Sequence, residues 1–200
     1  SWTKVLSRTD GCSYKCPWIS EYFAVELKIF SIKNFCKLNY FDRIKTNRIL
    51  EKNYKKYFLE QKCDGYNFPI KDDSEFFDKL YDRFLAKAAK VFGQFTINPE
   101  NKKQCYCYRS NINDQVCERH NHINTSVINA VYYHQVSKGD SISFFLGDYE
   151  HKYYPENGEL IMFPNFLDHK PNPTKSKRNR YSINMELNTY ETIENLLDGI

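Results

Sequence analysis

Apolar positions in the first half of the chain recur at helical spacing. Between residues 74 and 92 they fall three and four positions apart, which is the period of one helix face. These positions are Phe76, Phe77, Leu80, Tyr81, Phe84, Ala88, Val91 and Phe92. Asp72 or Asp73 could cap the start of this helix, and Gly93 stands where helices commonly end. We expect the aromatic stripe to pack against a sheet. A second helix is predicted over residues 40–62.

Beyond Lys103 the pattern changes to short runs with the alternation or continuous apolar character of β-strands. Eight strands are predicted, at residues 104–110, 116–122, 127–136, 141–146, 151–154, 159–163, 167–170 and 180–187. A further strand is predicted at 22–31 and a short helix at 189–197, whereas residues 1–20 have no regular pattern. So many short strands separated by turn residues indicate a sandwich or jelly roll.

A chain of 200 residues is long enough for one domain with its own hydrophobic core. The fold class we expect is α+β and mostly β. It is a double-stranded β-helix (a cupin-like jelly roll) with the N-terminal helices packed on one sheet. Residues 1–100 would support the fold, 101–188 would form the jelly-roll core, and 189–200 would be a tail.

Charge, apolar runs and cysteine content bear on the cell compartment and on the partners of the protein. The net charge of +4 is mild, and a basic cluster at 170–180 is either a solvated loop or a means of attracting an anionic substrate. No apolar run is long enough to span a bilayer, and residues 1–30 lack the apolar core of a signal peptide. We therefore expect a cytoplasmic protein with reduced thiols and no membrane partner, despite seven cysteines.

Three of the five histidines form the most informative pattern in the chain. His120 and His122 are two positions apart, so in an extended segment their imidazoles point to the same side. His169 follows in a separate predicted strand and could close a metal site that keeps open positions. Imidazole is a ligand for iron, zinc, copper and nickel, so ligand type alone does not name the metal.

Arg180 and Ser182 are two positions apart in the last predicted strand, so their side chains lie on the same face. A guanidinium offers a planar fork of donors that matches a carboxylate, and a hydroxyl can add one more hydrogen bond. Together with the histidines, this pair indicates a mononuclear iron centre beside a dicarboxylate.

The order of these motifs over residues 100–188 resembles the 2-oxoglutarate- and Fe(II)-dependent oxygenases. It is similar to bacterial and phage-encoded members in which a His-x-His motif precedes a strand ending in Val-Tyr-Tyr, here from His120 to Tyr133. It also resembles prolyl hydroxylases at Tyr132-Tyr133 and at Arg180-Tyr181-Ser182-Ile183.

The resemblance implies roles for individual residues. His120 and His169 would be metal ligands. Arg180 would grip the distal carboxylate of 2-oxoglutarate, with Ser182 as its hydroxyl partner and Tyr133 as a further hydrogen-bond donor.

The sequence departs from the family at the remaining ligand. The widespread triad has two histidines and a carboxylate, but His122 stands where Asp or Glu is expected. We favour His122 as the ligand. Glu118 is the first alternative, because it lies on the same side by the strand period, whereas Asp168 should face away from His169.

The implied activity is a dioxygenase that uses Fe(II), 2-oxoglutarate as cosubstrate and dioxygen. It would hydroxylate an unidentified protein side chain or small molecule and convert 2-oxoglutarate to succinate. Nucleic acid is not an expected partner, and the oligomeric state is not predicted. Substrate loops would be residues 1–20, 111–115 and 170–178.

Three alternatives remain open at this point. Zinc could be held in a structural site by cysteines and histidines, namely Cys105, Cys107, Cys117, His120 and His122. A metal-free jelly roll could bind sugar or nucleic acid through residues 170–180. A three-histidine dioxygenase without a cosubstrate is disfavoured by Arg180 and Ser182, which it would not need.

Overall fold

The structure is a computed structural model that describes residues 2–7, 26–60, 67–70, 75–93, 97, 104–114 and 117–188. In chain order its elements are β1 (Trp2–Ser7), β2 (Glu26–Ile32), α1 (Tyr40–Leu59), β3 (Asn67–Pro69), α2 (Phe76–Phe92), β4 (Cys105–Ser110), β5 (Ile128–Gln135), β6 (Ile142–Leu146), β7 (Tyr149–Tyr153), β8 (Glu159–Pro164), β9 (Asp168–Pro171) and β10 (Arg180–Leu187).

The strands form two antiparallel sheets. The larger has seven strands in the order β1-β2-β8-β5-β10-β4-β3, and the smaller has three in the order β7-β6-β9. The chain passes from β5 in the larger sheet to the β6–β7 hairpin in the smaller one, and β8, β9 and β10 then alternate between the two sheets. Such crossings between two antiparallel sheets are typical of a jelly roll. The predicted fold class, a mostly β double-stranded β-helix with helices on one sheet, is confirmed.

Helix α2 follows the predicted aromatic stripe. Its buried side chains are Phe77, Leu80, Tyr81, Phe84 and Ala88. The helix packs against β4 and β10, and Gly93 with φ of 90° ends it. Asp72 and Asp73, the predicted caps, lie outside the described residues.

Helix α1 begins after Asn39, whose side-chain oxygen accepts a hydrogen bond from the backbone N–H of Asp42. Such a cap satisfies one of the donors left free in the first helical turn. The helix ends at Leu59, and residues 61 and 62 of the predicted segment lie outside the described part of the chain.

The larger sheet has a different core on each face. One face packs with the helices and contributes side chains such as Ile183 and Met185. The other face meets the smaller sheet, where Tyr133 and Phe163 pack with Phe144. Because successive side chains of a strand point to opposite faces, β5 and β8 each contribute to both cores.

Three strand predictions need correction. Residues 117–119 are irregular, and the predicted strand 116–122 is reduced to an isolated bridge between His120 and His169. The chain must turn here, since the carbonyl of His122 accepts hydrogen bonds from the N–H groups of Thr125 and Ser126. The edge strands β1 and β3 were not predicted, because pairing with β2 and β4 rather than a local pattern makes them strands.

The remaining predicted strands of the second half are present with bounds shifted by a few residues. The strand predicted at 22–31 corresponds to β2, and the predicted tail helix at 189–197 is outside the described residues. Neither helix in the described part of the chain combines the length and apolar character that crossing a bilayer requires.

Candidate functional site

His120, His122 and His169 meet between the two sheets. One ligand atom from each imidazole lies within 4.8 Å of the other two. His169 is on β9, and His120 is held beside it by two backbone hydrogen bonds of 3.1 and 2.9 Å between these two residues. His122 follows two positions later, and its N–H donates to the carbonyl of Asn165 at 2.9 Å.

Backbone carbonyls fix two of the rings. Nδ1 of His120 is 2.8 Å from the carbonyl oxygen of Glu118, and Nδ1 of His169 is 3.0 Å from that of Leu167. A carbonyl only accepts hydrogen bonds, so Nδ1 carries the proton in both rings. Nε2 of each ring then has a free lone pair, which is the usual state of a metal-binding imidazole.

The third ring is fixed by a side chain. Nδ1 of His122 is 3.0 Å from Oε1 of Glu186, with the two side chains 24% and 33% exposed. The hydroxyl oxygen of Thr125 lies 3.4 Å from the same nitrogen. Because a carboxylate only accepts hydrogen bonds, Nδ1 of His122 carries the proton. The free nitrogen of this ring is therefore also Nε2.

Asp168 clamps the segment that carries the first two histidines. Its carboxylate accepts hydrogen bonds from Asn121 at 2.9 Å and from Nε of Arg119 at 2.8 Å. The hydrogen bond from Asn121, followed by that from Arg119, lowers the pKa of Asp168 below its usual value. Residues 119 and 121 thus bind on the side away from the imidazoles, which leaves 120 and 122 pointing inward.

His169 is the most buried of the three histidines, packed beside the rings of Phe144 and Phe163. Burial, with a smaller contribution from the neighbouring imidazoles, lowers the pKa of His169 to about 3, although the hydrogen bond to the carbonyl of Leu167 acts in the opposite direction. The ring is therefore neutral at physiological pH, which keeps its lone pair available to a metal.

Arg180 lies at the other end of the site and is 3% exposed. Its Nε donates to the hydroxyl of Ser110 at 3.1 Å, and Nη1 donates to the carbonyl of Asn172 at 2.8 Å. Nη2 is buried and has no hydrogen-bond partner among the described residues. No carboxylate in the described part of the chain pairs with this guanidinium. A buried charge without a counter-charge is costly, so the arrangement is suited to an anionic ligand.

Strand register places the other predicted anion-binding residues beside Arg180. Ser182 lies opposite Tyr133 of β5 and opposite Tyr108 of β4. The hydroxyl of Tyr133 is buried and unpaired within the described structure, and burial raises its pKa far above the usual value. It therefore stays protonated and can donate a hydrogen bond. The Ser182 hydroxyl is 3.5 Å from the carbonyl of Tyr108, a weak contact that a ligand could replace.

A single cavity of about 380 Å³ joins the three histidines to Arg180. That volume is within the range of about 300–1,000 Å³ of small-molecule sites. Four alternate residues of β10 line it, namely Arg180, Ser182, Asn184 and Glu186. Asn129 also lines the cavity, and its amide nitrogen is buried without a partner in the described structure. The cavity is thus bounded by potential metal ligands at one end and a cation at the other.

The alternative ligands do not join the three imidazoles. Glu118 is exposed and meets His120 through its backbone carbonyl. Cys105 and Cys107 are buried in the core on the helix side of the larger sheet, so the predicted zinc set does not assemble. Cys117 alone is near, with its sulfur 3.4 Å from Nδ1 of His120, and it is exposed.

Two of the predicted substrate loops lie side by side. The N–H of Ile112 donates to the carbonyl of Ser176 at 2.9 Å, which joins segments 111–114 and 170–178. The second of these segments also supplies Asn172, whose carbonyl holds Arg180. Of the third loop, residues 1–20, only β1 is described.

Glu118→Gln is expected to leave Fe(II) affinity unchanged, whereas His122→Ala should weaken it strongly, because the imidazole and not the carboxylate reaches the cluster. His122→Asp should retain the metal, since it replaces one ligand by another. Anaerobic titration of Fe(II) into each purified variant measures the affinities. Loss of binding in Glu118→Gln with normal binding in His122→Ala would make Glu118 the third ligand.

Sequence reasoning missed Glu186 at the metal end of the cavity. The signal was present, because residues 180, 182, 184 and 186 share one strand face by the period of two. The strand period alone does not show that the far end of this face reaches the histidines. Asn129 carried no comparable signal, since nothing in the local sequence shows that it lines a cavity.

No family model matches the chain, and no curated protein matches it. Solved structures do. A prolyl-4-hydroxylase from Pseudomonas putida is similar with a TM-score of 0.53 at 15% identity, covering 82% of this chain and 93% of the other. A prolyl hydroxylase from Trichoplax adhaerens, in complex with a hypoxia inducible factor oxygen degradation domain peptide fragment, gives 0.57 at 13% identity, covering 84% and 86%.

A third solved structure is HygX from Streptomyces hygroscopicus, with nickel and 2-oxoglutarate bound. It is similar with a TM-score of 0.56 at 13% identity, covering 82% of this chain and 83% of the other. At such identities the similarity concerns the fold. The chain therefore has the double-stranded β-helix fold of prolyl hydroxylases and related 2-oxoglutarate- and Fe(II)-dependent oxygenases.

Proposed function

We propose that this protein is an Fe(II)- and 2-oxoglutarate-dependent dioxygenase that hydroxylates an unidentified substrate. The observation that carries the proposal is Arg180, a buried guanidinium without a counter-charge in the described structure. It faces the same cavity as three imidazoles with free lone pairs. Neither a structural zinc site nor a sugar-binding module would supply an anion to pair with this buried guanidinium.

The histidine cluster fits Fe(II). Imidazole is a ligand that iron accepts, and three ligands grouped on one side of a cation leave its other positions open. His120, His122 and His169 would each bind through Nε2, since Nδ1 of each ring is already engaged. When bound, the metal supplies activation of dioxygen coupled to decarboxylation of 2-oxoglutarate, which leaves succinate and carbon dioxide.

The Arg180 end fits the distal carboxylate of 2-oxoglutarate. Nη2 of Arg180 and the hydroxyl of Tyr133 are both buried, unpaired donors within the described residues. The Ser182 hydroxyl can add a third hydrogen bond by releasing its weak contact with Tyr108. A carboxylate placed here would satisfy donors that otherwise cost folding free energy. It would also orient the cosubstrate toward the histidines.

Apolar side chains line the space between the two ends. Val131, Ile142 and Phe163 contribute to the cavity wall, and each is at most 8% exposed. An apolar wall excludes water, which protects reactive species and strengthens hydrogen bonds made by Arg180. The chain's own part in the reaction is therefore to bind, orient and shield.

The substrate class is proposed by analogy of fold. A peptide is bound in the Trichoplax adhaerens structure, so a protein side chain is the leading candidate, with a small molecule as the second.

Residues 101–188 would form the catalytic core and residues 1–100 its support. A cytoplasmic location fits the cysteines of the described chain, none of which forms a disulfide.

Conversion of 2-oxoglutarate to succinate tests the proposed function without a known substrate. The purified protein is incubated with 2-oxoglutarate, Fe(II), dioxygen and ascorbate as reductant. We expect it to form succinate slowly, by turnover of 2-oxoglutarate that is not coupled to hydroxylation of a substrate. His169→Ala, assayed alongside, should form none. Absence of succinate from the wild-type protein under all these conditions would count against the dioxygenase assignment.

A further inference from the structure

Glu186 places a carboxylate at the metal end of the cavity that the proposed chemistry does not use. Its Oε1 is 3.0 Å from Nδ1 of His122, and the carboxylate lines the cavity. No lysine or arginine among the described residues pairs with it. The backbone carbonyl of the same residue accepts a hydrogen bond from the hydroxyl of Tyr81, which fixes this point of β10 against α2.

Glu186 contacts His122, the residue at which this chain departs from the common ligand set of two histidines and one carboxylate. His122 stands where a ligand carboxylate is usual, so a centre of three neutral imidazoles lacks one negative charge. The carboxylate of Glu186 is next to that same imidazole, at Nδ1, whereas Nε2 is the nitrogen proposed to bind the metal. The missing charge is therefore present one hydrogen bond farther from the metal position.

We propose that Glu186 is a positioning residue that acts through His122. It holds the ring so that Nε2 points into the cluster, and it supplies through the imidazole the negative charge that a ligand carboxylate would bring. The inference rests on the proposed function only in that the three histidines bind a divalent metal. It assigns no role to Glu186 in contact with the metal itself.

The geometry of β10 supports this assignment. Residues 180, 182, 184 and 186 share one face of the strand. The guanidinium of Arg180 therefore lies at one end of this face and the carboxylate of Glu186 at the other. Hydrogen bonds from ligand imidazoles to carboxylates raise ligand basicity, and loss of such a partner weakens metal binding about 10- to 100-fold. Thr125, also near Nδ1 of His122, is too distant at 3.4 Å to replace the carboxylate.

The test measures metal affinity rather than turnover. Fe(II) is titrated anaerobically into the wild type, Glu186→Ala and Glu186→Gln in the presence of a competing chelator. We expect Glu186→Ala to weaken Fe(II) by about 10- to 100-fold and Glu186→Gln to weaken it less. The glutamine keeps an oxygen acceptor for Nδ1 but loses the charge. Glu150→Ala is the control, since it removes a carboxylate on β7 that does not line the cavity and should leave Fe(II) affinity unchanged.

The same substitution in a His122→Asp background separates positioning from a general structural effect. There the ligand is itself a carboxylate, and Glu186 becomes a nearby like charge. We expect Glu186→Ala in that background to leave Fe(II) affinity unchanged or to strengthen it. Circular dichroism melting of every variant checks that each is folded at the titration temperature.

The outcomes are distinguishable. If the wild type binds Fe(II) and Glu186→Ala binds it equally well, the role of Glu186 is refuted while the proposed function stands. Equal weakening by Glu186→Ala in both backgrounds would show a structural effect and would also refute it. If the wild type binds no Fe(II), the histidine site is wrong, and both proposals fall together.

Discussion

His169→Ala and His120→Ala should each remove most of the bound Fe(II). Each removes one of three imidazoles whose ligand atoms lie within 4.8 Å of one another, and two remaining ligands hold a divalent cation poorly. The backbone bridge between the two residues does not depend on their side chains, so the remaining site should keep its frame. Elemental analysis after anaerobic loading and desalting measures the iron retained.

His151→Ala is the matched control for this prediction. His151 is a histidine on β7 that lies outside the cavity, so its loss should leave iron occupancy at the wild-type level. Full occupancy in both His120→Ala and His169→Ala would contradict the assignment of the metal site.

Arg180→Ala should weaken 2-oxoglutarate by about tenfold to a hundredfold. A hydrogen bond to a charged group contributes about 1.5–3 kcal/mol, and each 1.4 kcal/mol corresponds to about a factor of ten in affinity. Ser182→Ala should cost less, because it removes one neutral hydroxyl. Fe(II) should stay bound in both variants, since neither residue belongs to the histidine cluster.

Arg178→Ala provides the control for charge alone. Arg178 is exposed and does not line the cavity, but it carries the same charge two residues away. We expect its affinity for 2-oxoglutarate to match the wild type. Equal weakening by Arg178→Ala and Arg180→Ala would show a general electrostatic effect instead of a specific carboxylate site.

The sequence predicted the parts of the fold that have a local pattern. The stripe of α2 was recognised because an amphipathic helix repeats its apolar positions, and most jelly-roll strands because their alternation is local. The edge strands β1 and β3 depend on pairing partners far along the chain, and so no local pattern marks them. The strand expected around His120 is a turning segment held by Asp168 and Asn165, contacts that become visible only in three dimensions.

The candidate site was predicted at the level of residue types and spacing. The interval from Arg180 to Ser182 and that from His120 to His122 are both readable from the sequence. Burial of Arg180 without a counter-charge is not, because it depends on which side chains surround it. The contact between Glu186 and His122 joins residues 64 positions apart in the printed sequence, and only the fold brings them together.

One measurement tests the central claim most directly, the titration of 2-oxoglutarate into the anaerobic Fe(II)-loaded protein. Chelation of the iron by the 2-oxo acid gives a weak visible charge-transfer band. We expect the wild type to show this band with saturable binding. Arg180→Ala should show it only at about tenfold or higher concentrations of 2-oxoglutarate. A wild-type protein that binds Fe(II) but shows no band, and forms no succinate when dioxygen is admitted, would contradict the dioxygenase assignment.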